Sequence, residues 1–453
     1  MGNSPHKVAS PPDASDTTAP RVDLAADAVA DPAVNPVVST AVNPVINMDQ
    51  WCVAANDDSV QCFLKSTLQT MISDNTRELH LEEDTDISRV RIRVNGRLTE
   101  RKIDNPTLAS ELLASLYKIY RSVGADTSVN EDFGELQVPV QIDGKKLDLR
   151  INHYKTVAGK SLTLLFGDAA SIPDVLEQTD LDPDTKQKLR QHYKAIEAKG
   201  ITLICSHSTE SLRSVFYALL GEVNTVERKI VALQHRNEKG VPRVSQIQTG
   251  HLLRPASASM TSHELCAVLS TGASLSDHVF IDWETTRDPR FAETIQSISQ
   301  KHTSITLLWH GDAATGLLNL IAPTNSLRLG LDSIIELQDT GLICPHCAEV
   351  YVPGKLDLAH LPATTTKDDP PESYFYADGC SRCDETGISS MATLSSFATS
   401  SDELRQAMES GSLTATNAAI AKAQGKSAIR VQSERLARSG KISLEDWVKG
   451  KNG

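Results

Sequence analysis

Long apolar runs and surplus positive charge are both missing from this chain of 453 residues. No stretch approaches the ~18 to 20 apolar residues needed to cross a bilayer. The start, "MGNSPHKVASPPDASD", has no apolar segment of the kind a secretory signal requires. Gly2 follows the first methionine, but His6 stands where a lipidation signal carries serine or threonine. Lys and Arg number 45 against 58 Asp and Glu, a net charge of -13, whereas binding nucleic acid needs basic surface. These absences predict a cytoplasmic protein with no nucleic-acid partner and no direct membrane insertion, so that any membrane contact comes through partners.

The apolar content, 40%, and the charged content, 23%, are those of a globular protein large enough for two or three domains. Residues 1–48 are rich in Ala, Pro, Val, Asp and Ser without helical period and read as a disordered tail. An α+β domain is expected over 49–168. Val60, Phe63, Leu64, Leu68 and Met71 recur at helical spacing, and Val90, Ile92 and Val94 alternate with Arg89, Arg91 and Arg93. Asn95-Gly96 and Asp143-Gly144 are hairpin turn signals. A linker over 169–185 leads to an α/β domain over 186–340, whose short apolar strands "ITLIC", "KIVALQ", "HVFIDW" and "SITLLW" alternate with helical stretches. That alternation predicts a mainly parallel sheet covered on both faces. A cysteine-bearing insert over 341–390 and a helical region over 391–453 complete the chain, with Ser443 to Asp446 forming a capping box.

Four of the eight cysteines fall as "CPHC" and "CSRC": Cys344, Cys347, Cys380 and Cys383. Two CxxC turns can present four thiolates to one tetrahedral zinc, and four thiolates close its shell, so the expected role is structural. Cys52, Cys62, Cys205 and Cys266 are scattered and read as small buried apolar residues.

Between the strand "ITLIC" and the helix "LRSVFYALL" lies "SHSTES". A phosphate-binding turn at that place has the pattern GxxxxGK[ST], because glycines let N–H groups approach the phosphates and lysine reaches the outer ones. None of its glycines, lysine or hydroxyl position matches here.

The order of parts nonetheless resembles the traffic ATPases of type II secretion and type IV pilus systems, the type II secretion protein E family. The resemblance rests on "SRVRIRVNGRL", "LDLRINHYKTVAGK", the four cysteines, "CDETGI" and "ISLEDWVK", and spans about residues 55 to 450. It implies a PAS-like N-terminal domain before a RecA-like P-loop NTPase domain, and hexameric rings that move pilins or pseudopilins by hydrolysing ATP.

On the family pattern the two loop glycines become Ser206 and Ser211, the lysine Leu212 and the magnesium hydroxyl Arg213, with Ser214 a shifted hydroxyl. Gln234 and His235 replace two carboxylates of the acidic box, while Glu238 remains. Glu284 best matches the catalytic glutamate, with Asp282 an alternative, and "WHGDAAT" keeps His310 and Asp312 of the histidine box. Arg91, Arg93 and Arg150 match arginines that approach nucleotide across a boundary. Each has a plainer reading: a surface carboxylate for Glu284, a hydrogen-bonded histidine for His310, and the solvated face of a strand for the arginines.

These losses predict a degenerate member, structural or regulatory, in a homo- or hetero-hexamer with an intact ATPase or on the inner-membrane platform protein of such a machine. ATP and magnesium are then not used productively. Two readings stay open: an active ATPase using Arg213 in place of lysine, and a zinc-stabilised adaptor outside any ring.

Overall fold

The computed structural model describes residues 45–51, 59–122, 132–167, 171–194, 200–249, 276–286, 304–321, 330–352, 374–424 and 428–449, without positions 74, 75, 77, 95 and 96 and with a few single positions between 267 and 328. Most of the segment read as a disordered tail, residues 1–44, lies outside them, as do Cys52 and Cys266.

Ordered structure starts earlier than composition suggests. β1 (Ile46–Asn47) pairs in parallel with β5 (Phe133–Ile142), and Ile46 and Met48 are buried. With β2 (Glu78–Glu83), β3 (Ser88–Val94), β4 (Arg97–Ile103), β6 (Lys145–Lys155) and β7 (Lys160–Gly167) they form one sheet in the order β1-β5-β6-β7-β2-β3-β4. α1 (Ser59–Ser73) and α2 (Leu108–Ser122) supply Leu64, Leu68, Met71, Leu112 and Leu116 to one core with Leu79, Leu81, Val90 and Ile151 of the sheet. The β5–β6 turn places Asp143 at φ 50° and Gly144 at φ 74°, the left-handed pair that a two-residue hairpin requires.

The segment read as a linker is packed down. Ile172, Leu176 and Leu181 are buried, and Leu181 bridges to Thr393. α3 begins at Pro183 (Pro183–Lys194). Beyond it lie β8 (Ile201–Ser206), α4 (Thr209–Val223), β9 (Ile230–Gln234), β10 (Val244–Gln248), β11 (His278–Ile281), β12 (Ser304–His310) and β13 (Leu331–Ile343). The second sheet has the order β10-β9-β11-β12-β8-β13-β16, parallel as far as β13 and antiparallel at β16 (Ile388–Thr399). Each face has its own apolar cluster: Leu203, Cys205 and Leu307 on one side, Ile204, Leu308 and Ile335 on the other.

β13 and β16 show why the boundaries expected at 340 and 390 do not hold: each falls inside a strand. The two strands pair over almost their whole length, so the cysteine insert is a finger grown from a continuous ladder. Within it β14 (Ala348–Tyr351) pairs with β15 (Tyr374–Ala377). The region expected to be helical opens with β16, then has helices Asp402–Glu409, Leu413–Gln424, Ala428–Arg438 and Leu444–Lys449. Of the expected capping box the hydroxyl half forms: Ser443 Oγ accepts from Asp446 N at 3.0 Å, while Asp446 Oδ2 accepts from that same hydroxyl at 2.7 Å instead of from the backbone N–H of Ser443.

Cys205 is a free, buried thiol, whereas Cys62 is disulfide-bonded, which corrects its reading as an apolar filler. It lies half-buried on α1 rather than in the core. Among the described residues no helix is long and apolar enough to cross a membrane.

Candidate functional site

The turn from β8 to α4 is shorter than a phosphate loop. α4 already begins at Thr209, three residues before Leu212, and Ser208 is its N-cap. Three backbone donors of the turn and the first turn of α4 are satisfied within the chain. Ser208 N donates to Ser206 Oγ at 3.0 Å, Ser211 N to Ser208 Oγ at 3.2 Å, and Leu212 N to Ser208 O at 3.1 Å. An N-cap hydroxyl fills the anion-attracting end of a helix in this way.

Each position of the pattern has another use. Ser206 and Ser211 are buried, and Ser211 Oγ donates to Asp339 Oδ1 of β13 at 2.5 Å. Asp339 also accepts from Thr393 Oγ1 at 2.8 Å, so the head of α4 is tied to the β13–β16 ladder. Leu212 is 0% exposed and packs with Val215, Phe216 and Ile204. Ser214 is half-buried in the second turn of α4.

Arg213 is held by carboxylates. Its Nη2 donates to Glu210 Oε1 at 2.7 Å and Oε2 at 2.5 Å, and its Nη1 donates to Glu238 Oε2 at 3.2 Å. From the N-terminal sheet, Arg150 Nη1 reaches Glu284 Oε1 at 3.2 Å, and its Nη2 lies 3.6 Å from Glu238 Oε1. One continuous network therefore runs Glu210–Arg213–Glu238–Arg150–Glu284 across the C-terminal edge of the parallel sheet, where open α/β folds place their ligands. The candidate catalytic glutamate is the end of this chain of charges.

Tyr217 fixes the Glu238 loop, its hydroxyl accepting from Glu238 N at 3.1 Å and Lys239 N at 3.2 Å and from Gln234 Nε2 at 2.8 Å. Burial, helped by Glu238, pushes its phenol up to about 12, so it stays protonated. Asp282 is buried and caps the helix Trp283–Thr286, accepting from Thr285 N and His235 N, each at 2.7 Å. Burial raises its carboxyl to about 7, with Glu284 adding to the rise.

The remaining candidates separate from this network. His310 ends β12 in register with Ser206 and lies edge-on to His207, ring centroids 6.4 Å apart. Asp312 caps the next helix, accepting from Thr315 N at 2.8 Å. Arg91 pairs with Glu82 and Arg93 with Glu78 at 2.9 Å, both on the adjacent strand of the N-terminal sheet. Of the three candidate arginines, Arg150 is the one brought into the network. Sequence reasoning missed Tyr217 and Asp339, since nothing in a local motif marks a partner 128 residues from Ser211.

The four cysteines converge, all four Sγ atoms lying within 4.8 Å of one another. Cys344 and Cys380 are 4.0 Å apart, Cys347 and Cys383 3.8 Å, and Cys380 and Cys383 3.8 Å. Zinc–sulfur bonds of about 2.3 Å in a tetrahedron give edges of roughly 3.8 Å, so the set fits a metal ion and suits zinc. Although burial opposes it, N–H donors from Cys380 (3.2 Å) and Gly387 (3.3 Å) bring the Cys383 thiol down to about 7. Gly387, at φ 72°, has no room for a side chain: a Cβ would lie 2.3 Å from Ala377 O.

A sequence model of the family described as "Type II/IV secretion system protein" matches residues 53–449. The chain is 22% identical over 403 residues to the "Type IV pilus assembly ATPase PilB" of Thermus thermophilus, covering 86% of this chain and 43% of that protein. It is 24% identical over 310 residues to the protein of that name from Pseudomonas aeruginosa, covering 68% and 52%. The chain thus spans about half the length of these two relatives. Among solved structures, the Legionella pneumophila ATPase DotB superposes with TM-score 0.54 at 14% identity, covering 85% of this chain and 94% of that one. The likeness in structure supports the fold alone.

Proposed function

The chain belongs to the type II/IV secretion system protein family, and from that premise we propose that it is a catalytically degenerate member, a structural or regulatory subunit of a type IV pilus or type II secretion-like machine. The observation carrying this reading is the β8–α4 turn, where serine side chains accept from the N–H groups of Ser208 and Ser211 and a buried leucine stands at the lysine position. Without that lysine the outer phosphates lack their closest cation. Arg213 does not replace it, being committed to Glu210 and Glu238.

On this reading the N-terminal sheet with its helices is the PAS-like domain, the parallel sheet is the RecA-like domain, and the two retain ring-building surfaces without turnover. The subunit joins a ring with an intact ATPase on the cytoplasmic side of the inner membrane and docks on the platform protein. The four cysteines hold a structural zinc: a closed thiolate shell leaves no position for substrate, and the metal staples the finger that β13 and β16 carry.

Steady-state ATP turnover of the purified chain tests the reading. No turnover by the chain alone, unchanged in Glu284→Gln, is expected. Turnover abolished by Glu284→Gln would overturn it.

A further inference from the structure

We infer that Arg150, Glu238 and Glu284 form a built-in latch that ties the N-terminal sheet directly to the parallel sheet. Arg150 belongs to β6, whereas Glu238 follows β9 and Glu284 follows β11, so every contact of the set crosses from one sheet to the other. Glu238 is the shared element, Oε1 facing Arg150 and Oε2 accepting from Arg213. β7 arrives at the same place, since a Cβ on Gly167 at its end would lie 3.7 Å from Arg213 Nη1.

The side chains of Arg150, Glu238 and Glu284 are 21%, 26% and 27% exposed, so they are less screened than surface pairs, which contribute little. An arginine that reaches across a cleft needs negative charge on the far side. Here two protein carboxylates supply it, and the closed arrangement is a property of the chain itself. The ion pairs stand by themselves; what rests on the reading that the turn takes no nucleotide is the consequence that the subunit stays in one conformation whatever the nucleotide level.

Amide hydrogen exchange on the full-length protein tests it. Exchange around 207–211 and 235–239 is expected to rise roughly tenfold in Arg150→Gln and about threefold in Glu284→Gln, because the latch sets the local opening free energy. The double variant is expected to match Arg150→Gln at roughly tenfold, since the two residues act through one interaction. Arg91→Gln removes a comparable ion pair inside the N-terminal sheet and should leave these segments unchanged. If Arg150→Gln exchanges there no faster than Arg91→Gln, or the two single effects multiply, the latch is wrong. Adding Mg-ATP to the wild type separates the two claims. Protection of 207–211 by ATP, with Arg150→Gln still loosened, overturns the degenerate-site reading and leaves the latch standing.

Discussion

Leu212→Lys restores the residue that a phosphate loop carries at this position, and the structure predicts that it damages the protein instead of reviving a site. Leu212 is 0% exposed within the cluster between α4 and the sheet. Removing its apolar burial costs about 2–3 kcal/mol. The new ammonium must then enter that cluster or lose its proton, and deprotonating a lysine at neutral pH costs about 4–5 kcal/mol. Partial escape of the flexible side chain reduces the sum, leaving a loss of at least about 4 kcal/mol against a typical total stability of about 5–15. Urea denaturation at pH 7.5 measures it, with Thr209→Lys, an exposed position in the first turn of α4, as a control expected within about 1 kcal/mol of wild type. A Leu212→Lys protein as stable as the control, and further stabilised by Mg-ATP, would refute the reasoning, because the side chain would then face the cleft.

Three further outcomes are expected. His278, whose Nε2 meets Thr306 Oγ1 at 2.9 Å, is driven down to about 3, chiefly by burial and also by His192 and Arg228. It stays neutral when folded and takes up a proton when unfolded, so its stabilisation is complete above pH 6.5 and is lost as pH falls from 6.5 toward 3. Asp282 runs the opposite way, its raised folded value removing stability as pH rises from about 4 to 7. The quantity to compare is therefore the difference in urea midpoint between wild type and His278→Gln from pH 7.5 to 5, where the wild type should lose up to about 1.4 kcal/mol per pH unit more. Gly221 allows α4 to touch the segment before α3, and a Cβ there would lie 1.7 Å from Asp174 O. Gly221→Ala should cost about 1–3 kcal/mol in thermal or urea unfolding. Elemental analysis should find one zinc per chain, and Cys383→Ser or strong chelation should expose the 344–387 finger to protease while β8 to β12 stay protected.

Much of the fold was legible because its signals are local. The apolar runs at 201–205, 230–234, 278–281 and 304–309 are buried strands, and the two CxxC pairs meet as their spacing requires. β10 and β16 were not legible. "VSQIQ" is a half-exposed edge strand, and β16 buries Ser395 and Ser396, whose hydroxyls bond to Asp182 and Glu336. A strand buried through hydrogen bonds leaves no apolar run to read. At the candidate site the sequence revealed the loss of glycine and lysine but not what replaced them. That replacement depends on contacts such as Arg150–Glu284 and Ser211–Asp339, whose partners are 134 and 128 residues apart.

The central claim is that the chain's own serines and ion pairs fill the place of a nucleotide. Thermal unfolding with millimolar Mg-ATP, Mg-ADP or neither tests it most directly. A ligand at 100 times its dissociation constant stabilises by about 2.7 kcal/mol, a clear shift in melting temperature. The account predicts superimposable melting curves. A nucleotide-dependent rise that Arg213→Gln abolishes would contradict it.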